Sequence, residues 1–339
     1  MNTEFSSYEY LADNIDVQIK GERSIKDLDT AAQGIIGYTK IRALEVFHAH
    51  NDYLENNKNE KSGKLGLMLS GGIDSILLAA VLKDLGIDFH AVTVTAKGVS
   101  SQDRDNSIAL AEKLNFSHSV VEVDSKTLST EIPLTIEKLG TDELWEVLAA
   151  LPISLAFKEF NNKDIKGLVL TGNGADAIFA GGKVLKEKNL YSENANKELD
   201  SLVLKDVSRN FTRDRVIPDF YERVLGKDDK RFTMAFQNRQ AWELSHLLAP
   251  NVLWTEDELG RKYDKSALRK AAEILNVPKE LAWTSKSPLQ KSSGLMDALI
   301  LHVRESMAKY ENATNYTNPL EEDTDILLAR TALRFHKHL

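Results

Sequence analysis

The sequence contains no cysteine. This absence excludes disulfides, thiolate zinc sites, thiol nucleophiles and Cys-x-x-Cys redox chemistry, and it favours a reducing compartment. No apolar run approaches the roughly 18 residues of a membrane span, and residues 1–22 are too polar and acidic for a signal peptide. We therefore expect a cytoplasmic protein that does not contact membranes.

Positive charge is also scarce. The 43 Lys and Arg residues are outnumbered by 51 Asp and Glu residues, which leaves a net charge of −8. Proteins that bind nucleic acid need a basic surface, so nucleic acid is not an expected partner. The balance of 42% hydrophobic and 28% charged residues over 339 positions is typical of one or two soluble globular units.

Strand-like and helix-like segments alternate through the middle of the chain. The expected strands are residues 65–69, 89–95, 119–123 and 167–170. The helices expected between them are residues 76–85, 106–114 and 144–160. This alternation predicts an α/β fold in which a parallel twisted sheet carries helices on both faces.

The two ends of the chain have helical patterns instead. Apolar residues recur at helical spacing over residues 27–57, and after about Lys186 only helices are expected. Two of these later helices are residues 265–275, with Asp264 as the cap, and residues 324–335. The three expected parts are an N-terminal helical segment, an α/β core, and a mainly helical C-terminal part that completes the active site: residues 1–62, 63–185 and 186–339.

The first expected strand leads through Ser70-Gly71-Gly72-Ile73-Asp74-Ser75 into a helix. Glycines allow a sharp turn close to a ligand, and the N–H groups of the turn and of the helix start then converge on a spot that suits a phosphate. The hydroxyls of Ser70 and Ser75 add donors. A carboxylate beside a phosphate is repulsive unless a cation lies between them, so Asp74 indicates Mg²⁺. The alternative is an ordinary glycine-rich turn in which Asp74 caps the helix.

A second glycine-rich segment follows the strand expected at residues 167–170, and it reads Thr171-Gly172-Asn173-Gly174-Ala175-Asp176-Ala177-Ile178-Phe179-Ala180-Gly181-Gly182. Both segments should lie at the carboxyl edge of one parallel sheet, where open α/β folds bind ligands. We expect Asp176 to face Asp74 across a bound pyrophosphate and to share the magnesium ion. The alternative for Asp176 is again a helix cap.

These motifs resemble those of the N-type ATP pyrophosphatases. The first segment is similar to their pyrophosphate loop, and the second is similar to the asparagine synthetase pattern [ST]-G-x-G-[AS]-D-E-[IL]-F-G-G. Residues 265–272 and 283–294 resemble a late K-x-x-L-R-x-A-A helix and a loop with Lys and Gly. The resemblance therefore covers residues 65–294 and points to the synthetase domain of asparagine synthetases and β-lactam synthetases.

The resemblance implies a PP-loop fold of the adenine nucleotide alpha hydrolase type and an AMP-forming ligase that uses ATP and Mg²⁺. A substrate carboxylate would form an acyl-adenylate, and ammonia or another amine would displace AMP to give an amide. The implied metal ligands are Asp74 and Asp176. Lys286 matches the family's late lysine, with Lys291 as the competing candidate, and Asn173 occupies the position of a residue that acts in the nucleophile step. The implied nucleotide-binding residues are Leu69, Ser70, Gly71, Gly72, Asp74, Ser75, Val94, Thr171, Gly172, Gly174, Asp176 and Lys291, with Asp103 matching an acidic residue common near the adenine.

The sequence departs from the family on the side of the acid substrate. Asn173 replaces a frequent Glu and cannot serve as a general base, and Ala177 replaces the Glu after the motif Asp. If Pro152 marks the substrate region, Leu148 stands where aspartate-specific enzymes have Arg. The family also has an R-x-P-F-L-D segment, of which this sequence retains only the Arg. We therefore expect a larger or less charged acid than aspartate; the general base stays open, with Glu143 and Glu146 as candidates.

The source of the amine is open as well. The residues before the first glycine loop are too few for a glutaminase domain and include no Cys nucleophile. Ammonia would come from solution or from a separate glutaminase partner, or the nucleophile is another amine. Two alternatives remain: a non-catalytic nucleotide-binding homologue, which Asn173 and Ala177 favour, and a tRNA-modifying pyrophosphatase, which the acidic charge and missing Cys disfavour. The sequence leaves a homo-oligomer open.

Overall fold

A computed structural model describes residues 5–14, 22–57, 63–284, 292–307, 329–330 and 333–334. Five parallel strands form the central sheet, in the order β3-β2-β1-β4-β5. These strands are β1 (Leu65–Met68), β2 (Phe89–Ala96), β3 (Ser117–Val123), β4 (Val169–Thr171) and β5 (Phe232–Met234). A separate antiparallel pair consists of β6 (Thr255–Glu256) and β7 (Lys262–Tyr263).

Helices precede, connect and follow the strands. Those before β1 and between β1 and β4 are α1 (Leu11–Asn14), α2 (Leu28–Asn56), α3 (Ile73–Asp84), α4 (Gln102–Leu114), α5 (Ser125–Leu139) and α6 (Leu144–Asn162). Those between β4 and β5 are α7 (Ala175–Ile178), α8 (Glu193–Asn210), α9 (Phe220–Leu225) and a 3₁₀-helix (Gly226–Arg231). Those after β5 are α10 (Arg239–Leu247), α11 (Pro250–Leu253), α12 (Ser266–Ile274), α13 (Lys279–Ala282) and a helix at Leu295–Met307.

The sheet is buried on both faces. Alternate side chains of β2 enter two different cores, with Phe89 and Ala91 in one and Val92 and Val94 in the other. The first core includes residues of α2, α3 and α12, and the second includes residues of α5, α6 and α9. Because side chains of a strand point alternately to opposite faces, each face needs its own helical layer. The prediction of a parallel sheet with helices on both faces is confirmed.

The chain order of the strands creates a crevice at β1. From β1 the chain proceeds outward to β2 and β3 on one side, and then returns to place β4 and β5 on the other side. The loops after β1 and β4 therefore leave the sheet in opposite directions, which is the switch point where open α/β sheets bind ligands. Both glycine-rich segments lie there.

The C-terminal part differs from the sequence expectation. Strand β5 completes the sheet after residue 186, where only helices were expected, and its three residues are too few to show a period-two pattern. Asp264 does not cap α12, because its carboxylate accepts hydrogen bonds from the Gly182 N–H and from Arg269. Of the helix expected at residues 324–335, only 329–330 and 333–334 are described, and these are helical. No helix in the described ranges has both the length and the apolar character needed to cross a bilayer.

Candidate functional site

The loop after β1 forms a closed turn. The Ser75 hydroxyl accepts a hydrogen bond from the Ser70 N–H at 3.1 Å and donates to the Gly72 carbonyl at 3.0 Å. Gly71 has φ +69°, and a Cβ there would lie 2.5 Å from the Asp103 carbonyl oxygen. Only glycine satisfies both the left-handed backbone and this close approach. The loop then continues directly into α3, which begins at Ile73.

The loop after β4 lies beside the first. The Thr171 hydroxyl accepts from the Asn173 N–H at 3.2 Å, and the short helix α7 then begins at Ala175. Gly172 is close enough to Asp74 that a Cβ would be 2.9 Å from the Asp74 Cβ. The two turns that the sequence singles out are therefore in direct contact at the switch point.

A lysine joins the two acidic residues. Lys265 Nζ lies 2.7 and 2.6 Å from the two carboxylate oxygens of Asp74 and 2.5 Å from Asp176 Oδ1. The Lys265 side chain is fully buried, whereas that of Asp176 is 57% exposed. Burial alone would lower the pKa of the Lys265 amine, but the charges of Asp176 and Asp74 outweigh it and raise that pKa above its usual value. The expected approach of Asp74 and Asp176 is present, with a cationic side chain between them.

The lysine approaches by way of a further glycine. Gly181 belongs to the second glycine-rich segment, and a Cβ there would lie 2.0 Å from Asp176 Oδ1 and 2.2 Å from Lys265 Cε. Lys265 itself has φ 51°, an uncommon backbone conformation for a residue with a side chain. Because Lys265 lies at the start of α12, its side-chain amine is directed into the space that the missing Cβ of Gly181 leaves open.

Asp103 forms another part of the site. It lies in the first turn of α4, is 5% exposed, and accepts a hydrogen bond of 2.8 Å from the Ser292 hydroxyl. Burial raises the pKa of its carboxyl to about 7, although the bond from Ser292 acts in the opposite direction. Asp103 therefore changes charge near neutral pH beside the Gly71 turn.

A cavity of about 720 Å³ connects these features. Its wall includes both glycine loops, Asp103 and Ser292, and its volume is within the range of small-molecule sites. A second part of the wall comes from α6, from the segment between α8 and α9, and from the start of α9. This second part of the wall includes Ala149, Ile153, Arg215, Phe220 and Tyr221.

Four polar side chains, Glu146, Arg215, Tyr221 and Asn173, interact beside that second part of the wall. The Arg215 guanidinium lies 3.3 Å from Glu146 and 4.6 Å from the centre of the Phe220 ring. The ring centre of Tyr221 lies 5.8 Å from the Arg215 guanidinium carbon, and the Tyr221 hydroxyl interacts electrostatically with Arg215 and Asn173. Burial raises the pKa of that hydroxyl, while Arg215 and Asn173 act in the opposite direction. The network thus links Asn173 of the second glycine loop to the cation of Arg215.

The structure brings together most of the residues expected to bind the nucleotide. The cavity wall contains Ser70, Gly71, Gly72, Asp74, Ser75, Thr171, Gly172, Asn173, Gly174, Asp176 and Asp103. Leu69 and Val94 are buried, 1% and 7% exposed, and neither is part of this wall. Lys286 and Lys291 lie outside the described residues. Thr284 and Ser292, the described residues on either side of that segment, both line the cavity.

Three side chains of the site were not identified from the sequence as functional: Lys265, Arg215 and Tyr221. Of these three, only Lys265 could have been identified from the sequence, because it is the first residue of the K-x-x-L-R-x-A-A stretch. The candidate bases have other partners: Glu146 pairs with Arg215, and Glu143 accepts a bond of 3.3 Å from Arg330. Leu148, expected at the acid substrate, is 1% exposed and packs in the second core.

Residues 57–259 match the model of a protein family described as asparagine synthase. A curated relative, the glutamine-hydrolyzing asparagine synthetase of Gallus gallus, is 27% identical over 221 residues. That match covers 58% of this chain and 39% of the relative, so the chain spans well under half of the relative's length.

Two solved structures are similar over most of their length. One is an NH3-dependent NAD synthetase from Campylobacter jejuni in complex with nitrate, at 12% identity, with a TM-score of 0.36, covering 91% of this chain and 95% of that one. The other is an NMN synthetase from Francisella tularensis, at 12% identity, with a TM-score of 0.37, covering 88% and 93%.

Proposed function

The chain belongs to the asparagine synthase family, and from this premise we propose that it is an ATP-dependent ligase that joins a carboxylic acid to ammonia or another amine. The observation that carries the proposal is the convergence of Asp74 and Asp176 on the buried amine of Lys265, at the switch point of the sheet. Pyrophosphate is the highly charged product of such a reaction, and the cavity wall offers it backbone N–H groups and hydroxyls at the two glycine loops, whose acidic residues hold the amine of Lys265.

The donor set suits magnesium. Mg²⁺ binds oxygen ligands and is commonly held by one or two carboxylates together with substrate phosphates. Asp74, Asp176 and Lys265 leave one net negative charge, and Asp176 is accessible to solvent. In the proposal Asp74 and Asp176 hold the ion, which when bound neutralises charge on the pyrophosphate. Lys265 adds a fixed positive charge that needs no reorganisation during the reaction.

Two steps follow. In the first, an oxygen of the substrate carboxylate attacks the α-phosphorus of ATP, a new O–P bond forms, and the bond to the bridging oxygen breaks so that pyrophosphate leaves. In the second, the amine nitrogen attacks the acyl carbon, the bond to AMP breaks, and the nitrogen loses a proton. The turn at residues 70–75 binds the pyrophosphate, and Lys286 stabilises charge at the α-phosphate. Loss of one such donor lowers the rate by a factor on the order of 10²–10³.

Release of pyrophosphate from Mg·ATP tests the proposal. Carboxylic acids are supplied in a panel with ammonia and with simple amines, and products are identified by mass spectrometry. With the acid labelled by ¹⁸O in its carboxylate, one label should appear in AMP. Asp74→Asn should reduce pyrophosphate release more than about 100-fold. Asp84→Asn, at the far end of the same helix, is the matched control and should retain the wild-type rate.

The main competing function is nucleotide binding without catalysis, which Asn173 and Ala177 favour. Tight ATP binding without pyrophosphate release from any acid and amine would establish it and overturn the ligase. Transfer of label into AMP with ammonia alone as the amine would show that no partner is required. Turnover only after addition of a separate glutaminase and glutamine would place the ammonia source in a partner.

A further inference from the structure

Residues 6–13 form a strap across the outer edge of β5. The Met234 N–H donates to the Ser7 carbonyl at 3.0 Å, and the Glu9 N–H donates to the Gln237 carbonyl at 2.9 Å. The side-chain amide of Gln237, which lines the cavity, also donates to the Glu9 carbonyl at 3.1 Å. Because β5 is the last strand of the sheet on this side, the strap supplies hydrogen-bond partners for main-chain groups at its outer edge.

The chain just after β5 contacts the second glycine loop on its other side. The Phe236 N–H donates to the Asn173 carbonyl at 3.3 Å. A Cβ at Gly174 would lie 2.5 Å from the Gln237 nitrogen, so the loop rests directly on this peptide. A single layer of main chain therefore separates the strap from the loop that carries Asp176.

The strap also contacts the second part of the cavity wall. The ring of Tyr8 packs against that of Tyr221, with 5.5 Å between the ring centres. The Asp13 carboxylate accepts hydrogen bonds from the Thr212 hydroxyl at 2.6 Å and from the Arg213 N–H at 3.0 Å. One segment thus supports the cavity from the outside at two places.

A buried arginine fixes the strap to the body of the protein. Arg42 of α2 is 5% exposed, and its guanidinium donates to the carbonyls of Ser6 at 2.7 Å, Ser7 at 3.2 Å and Met234 at 3.4 Å. Hydrogen bonds from a charged donor are stronger than those between neutral groups. The strap is therefore a built part of the fold.

We propose that the strap is a positioning element of the reaction, which holds the second glycine loop, and with it Asn173 and Asp176, through the main chain that follows β5. This inference rests on the proposed ligase function. The strap lies outside residues 57–259, which match the family, so the family resemblance does not supply this role. The first glycine loop follows β1, two strands away from β5, and should not depend on the strap.

Glu9→Pro tests the inference because proline has no N–H to donate to Gln237. We expect kcat for pyrophosphate release to fall about 10- to 100-fold, since small displacements of reacting groups lower the rate strongly. The Mg²⁺ concentration for half-maximal rate should rise, because Asp176 belongs to the displaced loop. Glu9→Ala is the matched variant: it keeps the N–H and should recover the wild-type kcat to within about twofold.

Tyr8→Ala provides a second variant that leaves the main-chain bonds of the strap in place. It removes the ring that packs against Tyr221 and should lower kcat in the same direction. Tyr8→Phe keeps the ring and should recover most of the rate. Wild-type kcat and Mg²⁺ dependence in both Glu9→Pro and Tyr8→Ala would overturn the inference, even if their unfolding temperatures were lower, because the strap would then be only structural.

Hydrogen exchange read by mass spectrometry tests the strap without turnover. In Glu9→Pro the amides of residues 169–178 should exchange faster than in the wild type, while those of residues 67–76 keep their rate, because local openings are confined to the elements that lose support. Unchanged exchange at 169–178, or an equal increase in both segments, would overturn the inference. The same measurement on Tyr8→Ala decides the matter if Glu9→Pro does not fold.

The two measurements also separate this inference from the ligase function. Faster exchange confined to the second glycine loop, with no pyrophosphate release by the wild type from any acid and amine, would retain the role of the strap and overturn the ligase. Pyrophosphate release by the wild type with an equal kcat in Glu9→Pro would retain the ligase and overturn the inference.

Discussion

Lys265 Nζ lies 2.6 Å from Asp74 Oδ2, although 191 positions separate the two residues in the chain. The same nitrogen contacts Asp176, so one buried cation holds two carboxylates from different loops together. Two neighbouring carboxylates repel each other when no cation lies between them. Lys265 removes that repulsion and keeps the two loops in position.

Lys265→Met should therefore make the protein dependent on magnesium. Removal of the amine leaves two neighbouring carboxylates without their partner, and the free energy of unfolding should fall by about 1–3 kcal/mol. Added Mg²⁺ should restore more stability to Lys265→Met than to the wild type, because ligand binding to the folded form stabilises it. Chemical denaturation with and without Mg²⁺ measures this. An Asp176→Asn, Lys265→Met double variant should lose the Mg²⁺ response; a response equal to that of Lys265→Met would contradict the assignment.

Gly181→Ala should separate Lys265 from Asp176. The added Cβ would lie 2.0 Å from Asp176 Oδ1 and 2.2 Å from Lys265 Cε, so at least one of them must move. We expect pyrophosphate release to fall more than about 10-fold, because misplacement of a charged group weakens positioning. Gly37→Ala is the control: it lies in α2 with open space around it and should gain up to about 1 kcal/mol of stability. Unchanged activity in Gly181→Ala would show that the contact of Lys265 with Asp74 and Asp176 is not needed for the reaction.

Asp103 should make stability depend on pH. Its pKa is raised by burial from 3.8 to about 7, so between these values the folded protein binds more protons than the unfolded chain. The stability contributed by the protonated carboxyl is fully present below pH 4 and is lost as pH rises through about 7. In the wild type the free energy of unfolding should carry a downward slope of up to about 1.4 kcal/mol per pH unit from this group.

Asp103→Asn should remove that slope, as measured by urea denaturation at several pH values. Asp105→Asn, whose side chain is 64% exposed, should keep the wild-type profile. Parallel profiles for the wild type and Asp103→Asn would show that the carboxyl does not titrate in this range.

His50 should stabilise the start of β4. Its Nδ1 accepts from the Leu168 N–H at 3.0 Å, so Nε2 carries the proton and donates to the Gly63 carbonyl at 2.8 Å. Burial lowers the pKa of the ring and keeps it neutral. His50→Ala leaves a buried N–H without its partner and should lower the free energy of unfolding by about 1–3 kcal/mol. His48 lies on the exposed face of α2, so His48→Ala should change the free energy of unfolding by less than about 0.5 kcal/mol. Equal effects of the two substitutions would show that the contacts of His50 with Leu168 and Gly63 do not stabilise the fold.

Much of the fold and part of the site could be predicted because their causes are local. The strands at β1 and β2 are short apolar runs, and the glycine turns after β1 and β4 carry the residue types that tight turns near a ligand require. Strand β5 was not predicted: three residues at the edge of a sheet gain their structure from pairing with β4, and no periodic pattern records that pairing. Arg215 and Tyr221 were missed for a related reason, since they lie in or beside an irregular segment.

The sequence by itself determined the two glycine-rich turns and the acidic residue within each, because a left-handed backbone at Gly71 and a close approach at Gly181 leave little choice of residue there. Only the tertiary structure decided that Lys265 lies between Asp74 and Asp176, and that Arg215 pairs with Glu146 at the wall of the cavity. Ion pairs form between whichever segments packing brings together, and the distance along the chain does not enter the energy of the contact.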